Sequence, residues 1–203
     1  MSINLQKGQK IDLTKGGTGL KSVMVGLGWD EAPQGGLKAL FGGGNKSIDC
    51  DASVILCGED GRIVDPNNIN NTLIYFGNLR HISGAIVHMG DNLTGGGDGD
   101  DEQIMIDLPR VPQNIARIIF VVNIYDARSK NQHFGMINNA FIRLVDNEKR
   151  TEICRFNLTE NYSGMTGLVV GEIYRRNGEW KFNAIGQGVQ EASRLQSLVD
   201  MYR

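Results

Sequence analysis

Between Asp91 and Glu102 the chain places five carboxylates (Asp91, Asp98, Asp100, Asp101 and Glu102) and four glycines in twelve residues, with no basic side chain. Anionic groups this close repel, and a pair ~5 Å apart costs about 3 kcal/mol at an effective dielectric near 20. Ordering the stretch therefore asks for full solvation or a cation. The glycines permit positive φ, so backbone carbonyls can turn inward. Hard carboxylate and carbonyl oxygens on a pliable backbone suit calcium better than zinc or copper, while magnesium keeps its waters and takes few protein carboxylates. The competing reading is a solvated acidic hairpin loop. No EF-hand spacing fits these residues, and the tandem copies that calcium β-helices need are absent.

Further acids lie upstream. In Ser47–Ser53, SIDCDAS, a strand period of two puts Asp49, Asp51 and Ser53 on one face and Cys50 and Ala52 on the other. Two aspartates side by side ask for a cation above them, unless that face is simply exposed. Asp30 closes the preceding strand at Gly28-Trp29-Asp30, where an Asx turn is the plain alternative. If the two strands pair as a long hairpin, Asp30 reaches the same rim as Asp49. By position, Asp91 and Asn92 enter the loop, and Asp98 and Asp100 converge around Gly99. Asp101 and Glu102 lead into the next strand, with Glu102 a candidate bidentate ligand, and Asp49 and Asp51 close the site from beside it. Calcium takes 6–8 oxygens, so the set supplies one full site or two shared ones.

Other chemistry is thinly provided. Net charge is −2 over 203 residues, without the basic footprint of a nucleic-acid binder. No apolar run has the length of a signal-peptide core or membrane span, so a cytoplasmic protein is expected. Cys50, Cys57 and Cys154 are odd in number and scattered, which argues for buried, reduced thiols over a disulfide framework or zinc site. His81, His88 and His133 lack zinc-ligand spacing, and His88, ending a strand, reads as structural. Ser53 has no placed histidine and makes no triad. Gly95–Gly97 resembles a phosphate loop, but the surrounding acids repel phosphate. Arg143 and Arg155 read as sheet-surface residues.

The elements that must hold these groups are strands. Apolar residues alternate or form β-branched runs, broken about every ten residues by glycine, asparagine or aspartate, which is the pattern of an all-β sandwich. Strands are expected at Lys10–Leu13, Lys21–Trp29, Ser47–Cys57, Leu73–Phe76, Ala85–Met89, Gln103–Leu108, Arg117–Tyr125, Asn138–Val145, Thr151–Asn157, Gly167–Arg175 and Trp180–Ile185. Val189–Tyr202 carries apolar residues at helical spacing and reads as a closing amphipathic helix; Val111–Ile115 reads as a short helix or, given Pro112, a turn. The glycine-rich stretch from about 31 to 46 reads as a mobile insertion with an apolar centre at Leu37–Phe41. The chain also resembles itself. VMVGLGWDE from Val23 is like FVVNIYDAR from Phe120, with Asp30 over Asp126. Asp51–Ile63 lies over Asn139–Ile153 with a two-residue gap, and Asp91–Thr94 over Phe156–Thr159. A single domain over 1–203, two sheets with an internal pseudo-repeat and a C-terminal helix, is the expected architecture.

GLGWD, DCDAS, GDNLTGGGDGDDE, the KGG after an N-terminal strand, IIFVVNIYDA, FGMINNAFIRL and GEIYRRNGEWKFNAIGQG together resemble the tellurium-resistance TerD family of bacterial stress proteins, from Ile3 to about Gly188. The resemblance implies a cytoplasmic β-sandwich that binds calcium and is linked to tellurite and other stress. Its acidic positions fall here on Asp30, Asp49, Asp51, Asp91, Asp98, Asp100, Asp101 and Glu102. Lacking an evident base, nucleophile or phosphate loop, the chain reads as a non-catalytic, calcium-dependent interaction module. Its partners would be proteins of a stress or resistance complex, including a membrane-associated one. Two alternatives use the same carboxylates: a metal-dependent hydrolase or phosphodiesterase, with His88 its one candidate base, and calcium-mediated docking on a membrane surface.

Overall fold

The computed structural model describes residues 2–14, 19–31, 48–90, 99–192 and 194–203. Most of the glycine-rich stretch, together with Asp91, Asn92 and Asp98, lies outside them. Among these residues, twelve strands form two six-stranded sheets. The first runs, in spatial order, β1 (Ile3–Leu5), β10 (Thr151–Asn157), β9 (Ile137–Asp146), β3 (Ser22–Glu31), β7 (Glu102–Asp107) and β6 (Ile86–His88). The second runs β2 (Lys10–Asp12), β12 (Glu179–Val189), β11 (Gly167–Arg176), β8 (Arg117–Ile124), β4 (Cys50–Cys57) and β5 (Leu73–Ile74). All neighbours are antiparallel except β1 and β10.

The alternation seen in the sequence sets the layers. Val23, Val25 and Leu27 of β3, Ile104 and Ile106 of β7, and Ile142 and Leu144 of β9 turn inward. They meet Cys50, Ala52, Val54 and Leu56 of β4 and Phe120 and Val122 of β8. The opposite face of β4 and β8 is buried as well. Ile55, Cys57, Ile119 and Val121 pack with Val169, Ala192, Leu198 and Val199, the last two from the short helix α2 (Leu195–Asp200). Burial of such aliphatic side chains contributes about 1.5–3 kcal/mol each, which holds the helix to the second sheet. The helix is shorter than Val189–Tyr202 because β12 extends to Val189. A second, four-residue helix, α1 (Ala127–Lys130), follows β8.

Other differences from the sequence reading are local. β3 and β4 are not a hairpin; they belong to opposite sheets. At Pro112 the turn forms rather than the helix, with the Ile115 N–H bonded to the Pro112 carbonyl at 3.1 Å, and a 3₁₀ turn at Leu108–Arg110 precedes it, where Pro109 occupies the first turn and needs no amide donor. The self-similar segments take related places, β3 beside β9 in one sheet and β8 beside β4 in the other. A bulge between Gly28 and Asp30 adds a residue to β3 just where that comparison needs one.

Candidate metal centre

Three consecutive acids at the start of β7 take three directions. Glu102, in phase with Ile104 and Ile106, turns between the sheets and is 3% exposed. Its Oε2 accepts the Ala52 N–H at 3.0 Å and faces His88 Nε2 at 2.9 Å. The same nitrogen lies 3.1 Å from the Ala52 carbonyl, and His88 Nδ1 accepts the Gly90 N–H at 3.1 Å. That last bond leaves Nδ1 without a proton, so Nε2 is the donor. Both backbone groups of Ala52, beyond the end of the β4–β5 pairing, are thus met by the β6–β7 hairpin of the opposite sheet. His88 is the buried structural residue that its place in the sequence suggested.

Asp101 lies at the rim. Its N–H bonds the Leu27 carbonyl at 2.8 Å, and its Oδ2 accepts the Trp29 N–H at 2.7 Å, where the β3 bulge interrupts the ladder. Burial pushes the Asp101 carboxyl above its ordinary value against the pull of the Trp29 bond, and the charges of Asp30 and Asp100 push the same way. Asp30 is exposed and accepts Asn139 Nδ2 at 2.8 Å.

Asp100 points to the outer face of the first sheet, with no side-chain exposure. Arg143 grips it through Nε–Oδ1 at 2.7 Å and Nη2–Oδ2 at 2.9 Å, and also reaches Glu152 at 3.4 Å. Hydrogen bonding to Asp100 raises the Arg143 guanidinium further above its already high value. The carboxylate rests on Gly26, the cross-strand neighbour of Arg143; any Cβ there would fall far inside van der Waals contact with it. The sequence showed Arg143 only as a surface residue; its partner lies 43 residues away.

On β4, Asp51 is 8% exposed and stands opposite Asn123 of β8. Among the described residues, Asn123 Oδ1 and the neighbouring Ser53 Oγ are buried without a hydrogen-bond partner. Asp49 is exposed, and its carbonyl accepts the Tyr125 N–H at 2.7 Å. Asn123 was not singled out in the sequence, although an asparagine inside the apolar run IIFVVNIY is the signal that finds it. Burial pushes the Cys50 thiol well up, and the charges of Asp51, Asp49, Glu102 and Asp101 add to that, in decreasing order. Carboxylates of both sheets therefore act electrostatically on one thiol.

Asp30, Asp49, Asp51, Asp101 and Glu102 are gathered at this end, whereas Asp100 is held on the outer face by Arg143. Asp91, Asn92 and Asp98 lie outside the described residues. Among the described residues, no three histidine, cysteine, aspartate or glutamate side chains form a metal-binding group by themselves. The unpartnered oxygens of Asn123 and Ser53, beside the buried Asp51 carboxylate, are nevertheless hard donors that fit a divalent cation.

A TerD domain profile matches residues 1–202. The stress response protein SCP2 of Bacillus subtilis (strain 168) is 53% identical over 204 residues, covering 100% of both chains. The tellurium resistance protein TerD of Serratia marcescens is 43% identical over 188 residues, covering 93% of this chain and 91% of its own. In shape, a crystal structure of a telluride-resistance protein (TerD) homologue from Streptomyces coelicolor A3(2) aligns with a TM-score of 0.64. It shares 23% identity and covers 91% of this chain and 98% of that one. No helix among the described residues is long and apolar enough to cross a membrane. The two-sheet sandwich and the full-length sequence match agree: the chain belongs to the TerD domain family of tellurium-resistance and stress-response proteins.

Proposed function

We propose that this protein is a cytoplasmic, calcium-binding stress-response member of the family. On this reading it works as a non-catalytic module whose contact with protein partners depends on the bound ion. The observation that carries the reading is the buried oxygen set on β4 and β8: among the described residues Asn123 Oδ1 and Ser53 Oγ have no donor, and Asp51 stands across from Asn123. A buried acceptor left without a donor costs about 1–3 kcal/mol, and a hard cation between it and a carboxylate removes that penalty. Asp51, Asn123 and Ser53, on the outward face of the second sheet that they share with Ile55 and Val121, would hold one ion together with Asp49, and Asp30 and Asp101 would contribute to a second at the rim of the first. Asp91, Asn92 and Asp98 would complete the shell from the acidic stretch. Asp100 and Glu102 shape the site through Arg143 and through His88 with Ala52. Bound calcium supplies charge neutralisation at this end of the sandwich.

The non-catalytic reading draws support from His88. One of its ring nitrogens accepts from Gly90 and the other faces Glu102, so its proton is committed within the fold. Calorimetric titration with calcium and magnesium tests the ion. We expect saturable calcium binding, with Asp51→Asn and Asn123→Ala each weakening it by about tenfold or more, the size of one lost charge-assisted contact. Absence of both heat and a thermal shift at millimolar calcium overturns the reading. Calcium-dependent pull-down of partners, with no turnover of phosphoesters, then tests the module.

A further inference from the structure

The end of the first sheet remote from the acids is built differently. β7 leaves the acidic rim at Glu102 and ends at Asp107, about 20 Å away. Beyond it lie the 3₁₀ turn Leu108–Arg110 and, beside that, the turn His81–Gly84 that leads into β6. The two are joined: the Asp107 N–H bonds the Ala85 carbonyl at 2.8 Å, and Arg110 Nη2 donates to the Ser83 carbonyl at 3.0 Å. At the tip of the second turn stands Ile82, 83% exposed, the barest large apolar side chain among the described residues. The turn that presents it is tied down from within. The Gly84 N–H bonds the His81 carbonyl at 2.8 Å, and the buried His81 ring meets Ser83 through Nδ1, at 2.8 Å to the hydroxyl and 3.2 Å to the N–H. The Ser83 hydroxyl oxygen accepts the Ala85 N–H at 3.2 Å. Ile82 is thus held out into water by a turn already fixed, so little ordering is left for a partner to impose.

Cations gather around this tip. The forks of Arg110 and Arg80 converge on Gly84, where a Cβ would lie 3.3 Å from Arg110 Nη2 and 3.8 Å from Arg80 Nη1. Lys21 is alongside, its carbonyl accepting the Leu108 N–H at 2.8 Å. Among the described residues Arg80 and Lys21 pair with no carboxylate, and Arg110 has Asp107 alone, at 4.0 Å. From Pro66 to Gly90 the chain carries no aspartate or glutamate, and the adjoining hairpin balances Asp146 and Glu148 with Lys149 and Arg150. Lys21, Arg80 and Arg110 therefore outnumber Asp107 by two. We propose that this corner docks the protein on an anionic lipid bilayer without calcium, Ile82 entering the headgroup boundary while Arg80, Arg110 and Lys21 lie against lipid phosphates. A bilayer surface offers phosphate and, just beneath it, hydrocarbon, which is what an apolar tip ringed by cations complements. An acidic protein surface answers the cations but not the tip. The orientation follows: the acidic rim, at the other end of β7, faces away from phosphates that would repel it and stays open to partners.

The test is sedimentation of the full chain with vesicles of phosphatidylglycerol and of phosphatidylcholine, in calcium and in EGTA. Expected is binding to phosphatidylglycerol and not to phosphatidylcholine, undiminished in EGTA and weakening as salt rises. Ile82→Ser should weaken it about tenfold and Arg80→Gln about fivefold, each with the melting temperature of the parent. Ile82→Trp, read against the parent's own fluorescence, should emit at shorter wavelength on the same vesicles, which a purely electrostatic contact does not cause. Failure to sediment in EGTA, or Ile82→Ser and Arg80→Gln chains that bind as the parent does, overturns the proposal; sedimentation only in calcium assigns docking to the acidic end instead. Binding of polyglutamate without vesicles makes the partner an acidic protein surface, and binding of glycerol 3-phosphate without vesicles makes it a soluble phosphate; either result overturns the bilayer.

Discussion

Replacing Gly26 with alanine adds one methyl group where the Asp100 carboxylate now lies. The backbone of β3 at this point is paired on both sides, with Gln103 and Arg143, so it cannot recede. Asp100 must swing away, and both its bonds to Arg143, 2.7 and 2.9 Å, are lost together. Parting a buried ion pair costs about 3–5 kcal/mol when one charge stays buried. Arg143 keeps 28% exposure and can regain water, so the lower end applies. Alanine in a strand regains about 0.5–1 kcal/mol over glycine, leaving a net loss of about 2 kcal/mol. For a chain of this size that lowers the melting temperature by roughly 4–8 °C. Urea unfolding of Gly26→Ala, Asp100→Ala and the double variant measures it. Once Asp100 is trimmed, the added methyl meets no carboxylate, so the second substitution should cost nothing further and the coupling should be about 2 kcal/mol. Strictly additive losses, or a Gly26→Ala chain as stable as its parent, would refute the idea that Gly26 exists to seat this pair.

Three other outcomes follow from the same geometry. Asp101 carries a carboxyl raised by burial, so in the folded chain its ionisation opposes stability: stability from this group is fully present below about pH 3.8 and is lost as pH rises through the higher folded value. Asp101→Asn keeps an acceptor for Trp29 and should raise the calcium-free melting temperature at neutral pH while weakening calcium binding; a lower melting temperature contradicts this. Glu102→Ala strands His88 and the Ala52 amide and should cost about 3 kcal/mol or more in urea unfolding, whereas Glu102→Gln should cost clearly less. Cys57 and Cys154 have thiols pushed to about 12 by burial, and Cys50 is raised too, so a disulfide reagent at pH 8 should label none in the native chain within minutes and all three after denaturation. Rapid native labelling shows that the strands holding them open.

The architecture was legible because burial on one face of a strand writes itself every second residue: β7, β9, β10 and β12 were found within a few residues of their ends. β1 was missed because three residues, two of them exposed, carry no period, and its pairing with β10 is a long-range event. The tail helix was overdrawn because Val189, apolar in either setting, completes β12. At the candidate site the acids could be seen one by one, since charge density is a local property of sequence. Their division of labour could not. Nothing near Asp100 announces Arg143, and nothing near Glu102 says that its oxygen will serve the β4 backbone. Asn123 was hidden inside an apolar run until β8 was set against β4.

The chain's opening residues reach both sheets. β1 is laid on β10 and β2 on β12, so a dozen residues hem the outermost strand of each sheet at the same side of the sandwich. Neither seam can close until Thr151–Asn157 and Glu179–Val189 have been synthesised, and such distant pairings make folding slow. During that interval the far margins of β10 and β12 stand bare, ready to recruit a strand from another nascent copy. Clipping residues 2–13 would make that passing hazard permanent, leaving a sandwich that assembles edge to edge.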